Sequence, residues 1–341
     1  MSDDRFRRRP TPPDPLPGPQ GAPPPEPEPA AEPSSLGDGP LPERRRSPLL
    51  TDDLSRRRGN YILTFGYPQS GKTTFHSFLI RYLMEEGPFS TKFMNRNDDG
   101  DVDFDVNRMI DVWRKEWREG RFPKPTPVGE EQIRELSFEV RPLTGVRTPL
   151  RFSFLEVSGE MLQTVMPSET QDPSLSRVLR ELLENQNIRF IILLLINPDV
   201  YDNDELFTNF LNYLDNNLGF NIRERASLGI VISKPEEALE ALKRLRRGYG
   251  GVHELRGEIC EDFVEHFAPS SYREWYDWPN PKRKMISRFY LGKIESDGSE
   301  PRLVSPDFTS TRNIFAWIYH QATNERLGPG RWRRLLNWFR T

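Results

Sequence analysis

The sequence has a single cysteine, Cys260, in 341 residues. That excludes an intrachain disulfide and a thiolate zinc site. Its four histidines, His76, His253, His266 and His320, are scattered and show no metal-ligand spacing. Long apolar runs are missing too: the longest, Phe190 to Ile196, is far too short to span a bilayer. Charge of one sign is not in excess, with 48 basic against 51 acidic residues and a net charge of −3. The balance argues against a dedicated nucleic-acid binder, and no nucleic acid is expected among the partners. The Arg- and Pro-rich start carries no apolar h-region, so no secretory signal is expected and the cytoplasm is the expected compartment.

Proline is abundant, but unevenly so. Residues 1–58 hold 15 of the 32 prolines and very few large apolar side chains. Such a stretch cannot bury enough apolar surface to offset its ordering entropy, so it reads as a disordered Pro/Arg-rich extension. The pattern changes at Tyr61. Tyr61–Phe65 is a short apolar run ending at Gly66, as a buried parallel strand would be. Phe75, Phe78, Leu79, Tyr82 and Leu83 then recur at helical spacing, and Val106, Ile110, Trp113 and Trp117 suggest a second helix ending near Gly120. Leu136–Arg141 and Phe152–Val157 read as an antiparallel pair of strands. A helix around Leu175–Leu183 precedes the most apolar strand, Arg189–Asn197. A helix over Leu206–Leu218, a strand over Leu228–Ser233 and a helix opened by Pro235 follow. Further on, the pattern predicts a helix over Val252–Phe267, a strand near Ile286–Ile294 and a helix over Ile314–Ala322. Strands alternating with helices mean an α/β protein with a mostly parallel sheet.

Chemistry is concentrated in Gly66-Tyr67-Pro68-Gln69-Ser70-Gly71-Lys72-Thr73, which fits G-x-x-x-x-G-K-[ST] in full. It follows a predicted strand and opens a predicted helix that runs on through Thr74. In that setting backbone N–H groups surround phosphate oxygens, Lys72 adds a charge near the β- and γ-phosphates, and Thr73 offers a hydroxyl to Mg²⁺. A site for a Mg²⁺-bound nucleotide also needs a carboxylate at the end of a neighbouring strand. Glu156 ends one, and Gly159, three residues on, lets a backbone N–H approach the γ-phosphate. A base reader is expected after a later strand, where Ser233-Lys234-Pro235-Glu236 stands. The Lys234 stem could lie on the base plane, and the Glu236 carboxylate could accept from guanine's ring N–H and exocyclic amine. The same four residues also read as a plain helix start, with Pro235 in the first turn and acids complementing the dipole.

These three elements, in this order, resemble the P-loop GTPases of the translation-factor-related class. Within it they look most like the double-GTPase-type domains of bacterial conflict systems. Gly66–Thr73 looks like the phosphate loop. Glu156-Val157-Ser158-Gly159 looks like D-x-x-G with Glu for Asp, and Ser233-Lys234-Pro235-Glu236 looks like N-K-x-D with Ser for Asn and Glu for Asp. The run Gly120-Arg121-Phe122-Pro123 with Pro125-Thr126, the pair Gly159-Glu160, and Ile196-Asn197-Pro198 carry the narrower likeness. The resemblance spans about 61–294. It implies a Ras-like P-loop fold, a three-layer α/β/α sandwich whose mostly parallel sheet has one antiparallel strand. It implies that Thr126 is a switch threonine that coordinates Mg²⁺ and touches the γ-phosphate. Glu160 stands where many Ras-like enzymes place a water-orienting glutamine.

The expected organisation is therefore an extension over 1–58, one Ras-like domain over 59–325 and a basic amphipathic helix over 326–341. In that tail Trp332, Leu335, Leu336 and Phe339 fall on one helical face among four arginines within 331–340. Such a helix could lie on an anionic membrane, at its inner face, or dock a partner. The expected function is a switch that binds GTP or GDP with Mg²⁺, hydrolyses GTP slowly and signals to a protein partner. A non-hydrolysing GTPase-like scaffold and an ATP-binding P-loop protein stay open as alternatives.

Overall fold

The structure is a computed structural model. It describes residues 54–94, 104–124, 133–143, 147–157, 162–167, 173–200, 202–218, 222–245, 250–296 and 300–327. The chain divides into Met1–Arg45, which lies wholly outside the described residues, and Arg46–Thr341, which holds the fold. The described residues begin at Leu54, which is buried in the core ahead of the expected start of the domain at 59.

A seven-stranded sheet organises the molecule. Its strands are β1 (Gly59–Phe65), β2 (Phe89–Phe93), β3 (Arg134–Pro142), β4 (Leu150–Glu156), β5 (Ile188–Ile196), β6 (Ser227–Ile232) and β7 (Lys284–Arg288). They lie in the order β2-β3-β4-β1-β5-β6-β7. β1 pairs parallel with β4 and β5, β5 with β6, and β6 with β7. β3 runs antiparallel to both its neighbours. One strand thus opposes the rest, as the sequence predicts. The order reverses about β1, and open α/β sheets bind ligands outside the carboxyl ends of strands at such a point.

The strands alternate between two cores because successive side chains leave opposite faces. Tyr61, Leu63 and Phe65 of β1 enter one core and Ile62 the other. β5 does the same with Phe190, Ile192 and Leu194 against Ile191, Leu193 and Leu195. Being covered on both faces, it must be apolar throughout, which is why it reads as one unbroken run. The first core holds α3 (Arg177–Glu184), α4 (Asn203–Asn217), the short α5 (Ile222–Arg225), α6 (Pro235–Leu245), α7 (Glu258–Phe267) and α8 (Pro269–Tyr276). There Phe65 stacks on Phe210 with ring centroids 3.9 Å apart. The second core holds α1 (Lys72–Arg81), α2 (Phe104–Arg118) and α9 (Thr309–Thr323). These layers make the expected three-layer α/β/α sandwich. Among the described residues, no helix is long and apolar enough to cross a membrane.

Three local expectations change. The helix expected over Val252–Phe267 starts only at Glu258. A 3-10 turn covers Val252–Glu254, and Gly257, at φ 54°, separates the two. α8 is an added helix, opened by Pro269 in its first turn. The strand expected near Ile286–Ile294 is really two, β7 and β8 (Gly292–Glu295), the latter paired antiparallel with β9 (Arg302–Pro306) in a separate hairpin. Gly292 forces the break. Its φ is 120°, and a Cβ there would lie 1.9 Å from the Ser305 carbonyl oxygen.

This hairpin is fastened to the end of α2. The Leu303 amide donates to the Gly120 carbonyl at 2.8 Å, and Leu303 is buried. Gly120 has φ 70°, and a Cβ on it would stand 2.9 Å from the Leu303 carbonyl oxygen. Trp117 links that junction inward, edge-on to both Phe78 and Phe122.

Candidate functional site

The site begins where β1 ends. Gly66 follows Phe65 directly, and a Cβ on it would stand 2.7 Å from Ser70 Oγ and 2.9 Å from the Leu195 carbonyl oxygen of β5. A side chain could displace the hydroxyl but not the strand backbone. Gly66→Ala is therefore expected to destabilise the fold by about 2–3 kcal/mol. Urea unfolding would read this, and a midpoint equal to wild type would contradict the packing described.

Two left-handed residues shape the loop that follows, Gln69 at φ 63° and Gly71 at φ 86°. Alternating right- and left-handed backbone turns successive N–H groups toward one concavity, which suits an anion. Gly71 then caps α1, whose first intrahelical bond runs from the Phe75 amide to the Gly71 carbonyl at 2.8 Å. The amides of Lys72, Thr73 and Thr74 precede that bond and have no intrahelical acceptor. The helix dipole adds partial positive charge at the same point.

Lys72 folds back over this concavity. Its Nζ donates to the Gly66 carbonyl at 2.7 Å and to the Tyr67 carbonyl at 2.9 Å. The ammonium is thus fixed at the mouth of the loop by the backbone it spans. Ser70 is buried, and its Oγ finds no hydrogen-bond partner among the described residues, although its amide bonds to the Tyr67 carbonyl at 3.1 Å. Tyr67 and Pro68 are half-buried and Gln69 is exposed. Partial burial raises the Tyr67 phenol's pKa, with Asp202 and Glu205 adding to the rise.

Beneath the loop lies a group that sequence reasoning passes over. His76 is fully buried on α1, and its Nε2 meets the Thr64 hydroxyl of β1 at 2.9 Å. Phe154 of β4 lies against it at 4.8 Å between ring centroids. Burial, and then the Lys72 charge, lower its pKa to about 3. The ring is therefore neutral at any ordinary pH.

Glu156 ends β4 and is 4 % exposed. β4 lies beside β1, with Leu155 opposite Leu63, so Glu156 comes to the same end of the sheet as the loop. Thr73 is half-buried in the first turn of α1. Magnesium is commonly held by one or two protein oxygens together with phosphate oxygens, and a threonine hydroxyl plus a strand-end carboxylate fit that donor set. Thr126, Gly159 and Glu160 lie outside the described residues, as does the tail at 331–340.

The segment Ser233–Glu236, expected to read the base, stands beside the loop. Ser233 Cβ is 3.7 Å from where a Cβ on Gly71 would be. Both the amide and the hydroxyl of Ser233 donate to the Ile196 carbonyl at 2.9 Å. Lys234 pairs with Asp199 at 2.5 Å, on a partly exposed surface. Glu236 stands in the first turn of α6, which Pro235 opens; partial desolvation and then the neighbouring Glu237 raise its pKa, while its own backbone amide and Arg288 oppose the rise. Its side chain is nevertheless exposed, so water tempers that rise.

Two neighbours here are given no site role by the sequence reading. Asn197 carries its amide between the β5 end and the phosphate-loop residue Gln69. Tyr290 lies just past β7. The Phe289 amide bonds to the Ile232 carbonyl at 2.8 Å, which brings the two strand ends together. The Tyr290 ring meets His253 edge-on at 5.5 Å. Partial burial raises the pKa of its phenol, and the Glu236 charge adds to the rise. Asn197 stands in the run Ile196-Asn197-Pro198 but takes no site role from it, and Tyr290 stands in no motif; the parallel register of β5, β6 and β7 brings both to this end of the sheet.

No protein-family model matches the chain, and no curated protein does. Solved structures offer distant likenesses. One is a chain of the signal recognition particle receptor SRβ-GTP/SRX complex from Chaetomium thermophilum. It is 13% identical over 72% of this chain and 94% of that one, at a TM-score of 0.28. Another is Methanosarcina barkeri Roco2 RocCORdC bound to GDP. It is 10% identical over 68% of this chain and 43% of that one, at a TM-score of 0.24. Scores this low carry no argument, and the fold rests on the chain's own strand order and phosphate-type loop.

Proposed function

We propose that this chain is a nucleotide-dependent switch of the P-loop GTPase kind, binding GTP with Mg²⁺, hydrolysing it slowly and signalling to a protein partner. The observation that carries the reading is the Lys72 ammonium, held at 2.7 and 2.9 Å from two carbonyls across the mouth of a left-handed loop at a helix N-terminus. That arrangement suits the β- and γ-phosphates of a nucleotide. Thr73, Glu156 and Thr126 would hold Mg²⁺, which when bound neutralises charge on the phosphate oxygens. Glu160 would orient the attacking water. Its carboxylate can take a proton from that water, but it repels the γ-phosphate unless a cation stands between them. A Thr126 loop ordered only by triphosphate would be the surface a partner reads.

One observation favours a second reading, in which ATP is accepted as well. Lys234 is paired with Asp199, and the Glu236 side chain is exposed to water. Both weaken discrimination between bases.

Calorimetric titration with GTP, GDP, ATP and ADP in the presence of Mg²⁺ tests the proposal. Binding of guanine nucleotides alone, weakened about tenfold in Glu236→Ala, is the expected result. Equal binding of ATP would discard the Ser233–Glu236 base reader, and no binding would discard the switch. Turnover unchanged in Glu160→Ala and Thr126→Ala would leave a nucleotide-binding scaffold.

A further inference from the structure

We infer that Asn197, rather than Ser233, ties the phosphate loop to the base-side segment, and that it is a positioning residue for bound nucleotide. The inference rests on reading Gly66–Thr73 as a phosphate loop.

Gln69 is one of two non-glycine residues with positive φ among the described residues. A side chain in that conformation costs about 1–2 kcal/mol, so it persists only where its surroundings hold it. The Gln69 carbonyl accepts from Asn197 Nδ2 at 3.5 Å, a long contact at the limit of hydrogen bonding. What gives that contact weight is the fixed orientation of the amide behind it. Asn197 is 3 % exposed, and its Oδ1 accepts the Asp199 amide at 3.1 Å. With the oxygen so engaged, the nitrogen is turned toward the loop. Its backbone is fixed as well: Asn203 of α4 donates Nδ2 to the Asn197 carbonyl at 2.7 Å and to the Val200 carbonyl at 2.6 Å.

Ser233 is anchored one residue away. Its amide and hydroxyl both end on Ile196, so its side chain is committed to the strand rather than to the loop. The dipeptide Ile196–Asn197 is therefore the joint between phosphate side and base side. It gathers the root of the base segment through Ile196 and the left-handed loop carbonyl through Asn197. A longer amide at position 233 would project from a Cβ already beside Gly71.

An ordinary turn-stabilising asparagine would affect stability alone, and two readouts separate the roles. The first is release of a fluorescent GDP analogue from the full chain loaded with Mg²⁺. The second is hydrogen exchange at the Ser70 and Gly71 amides. Asn197→Ala is expected to release the analogue about five- to tenfold faster and to expose both amides. Adding Ser233→Asn to that variant is expected to slow release again by restoring an amide from the other side of the joint. Should the alanine variant be unstable, Asn197→Asp keeps the acceptor for the Asp199 amide and gives up the donor, and exchange at Ser70 and Gly71 must rise in it too. Asn197→Ala with wild-type release and wild-type loop exchange, changed only in its unfolding midpoint, overturns the inference. If the wild-type chain takes up no nucleotide, the functional reading fails instead. The exchange of the two amides in the nucleotide-free chain then decides the tie by itself.

Discussion

Lys72→Ala is expected to weaken binding of Mg²⁺-bound nucleotide by about a hundredfold or more while the fold survives. The ammonium sits where backbone amides and a helix N-terminus already converge, so phosphate loses its one full positive charge from the loop itself. Charge-assisted hydrogen bonds are about twice as strong as neutral ones, and this lysine would make them to two phosphates. Stability should fall as well, by about 2 kcal/mol, because the bonds to Gly66 and Tyr67 have an ammonium donor whose strength water tempers at a half-buried position. Calorimetry at fixed Mg²⁺ beside urea unfolding separates the two effects. Wild-type affinity in a folded variant would end the phosphate-loop reading. Lys72→Met, which keeps most of the apolar stem, guards against a loss due to packing alone.

The second large effect concerns acid. Folding holds His76 at a pKa of about 3, against an ordinary value of 6.5. The groups packed around it are Thr64 from β1, Phe154 from β4, and Phe75 and Lys72 from its own helix. None is an acid that could welcome a proton. Between pH 6.5 and 3 the unfolded chain protonates this ring and the folded chain refuses. Stability therefore falls as pH drops through that window, and the loss reaches about 2 kcal/mol by pH 5. Other groups titrate there as well, so the comparison must be with His76→Gln. Urea unfolding at pH 7.5 and pH 5 should show wild type losing about 2 kcal/mol more than the variant. Equal losses would mean that the buried ring is not excluded from protonation.

The phosphate loop was legible in the sequence because its geometry is local. Gly66, Gly71 and Lys72 act through backbone conformation and a helix start, both set within eight residues. The sheet was legible where strands are covered on both faces, as β5 is. It was not legible at β2 or β9. β2 is a five-residue edge strand with Lys92 at its fourth position, a composition that protects an edge and also hides a strand. β9 alternates little between buried and exposed positions. Asn197 escaped notice as a tie for a different reason: its partner, Gln69, lies 128 residues away. Only the juxtaposition of β1 with β5 brings them together. The Ser233 position shows the limit of reading by motif. The motif identifies a missing amide, whereas the neighbouring strand end supplies one from elsewhere.

The union of Gly120 with Leu303 has a consequence for how the protein is made. These residues are about 180 positions apart, and Gly120 stands six ahead of Thr126. Contacts of such separation form late, because the intervening chain must be ordered before they add stability. On a ribosome the amino half emerges first, with the phosphate loop and α2 but without the hairpin that fastens the end of α2. The end of α2 therefore acquires its anchor only once the chain through Leu303 has been synthesised. A nascent chain could shape the left-handed loop after β1 early and still hold a second helix whose far end is loose, so the two ends of this layer would become fixed at different times.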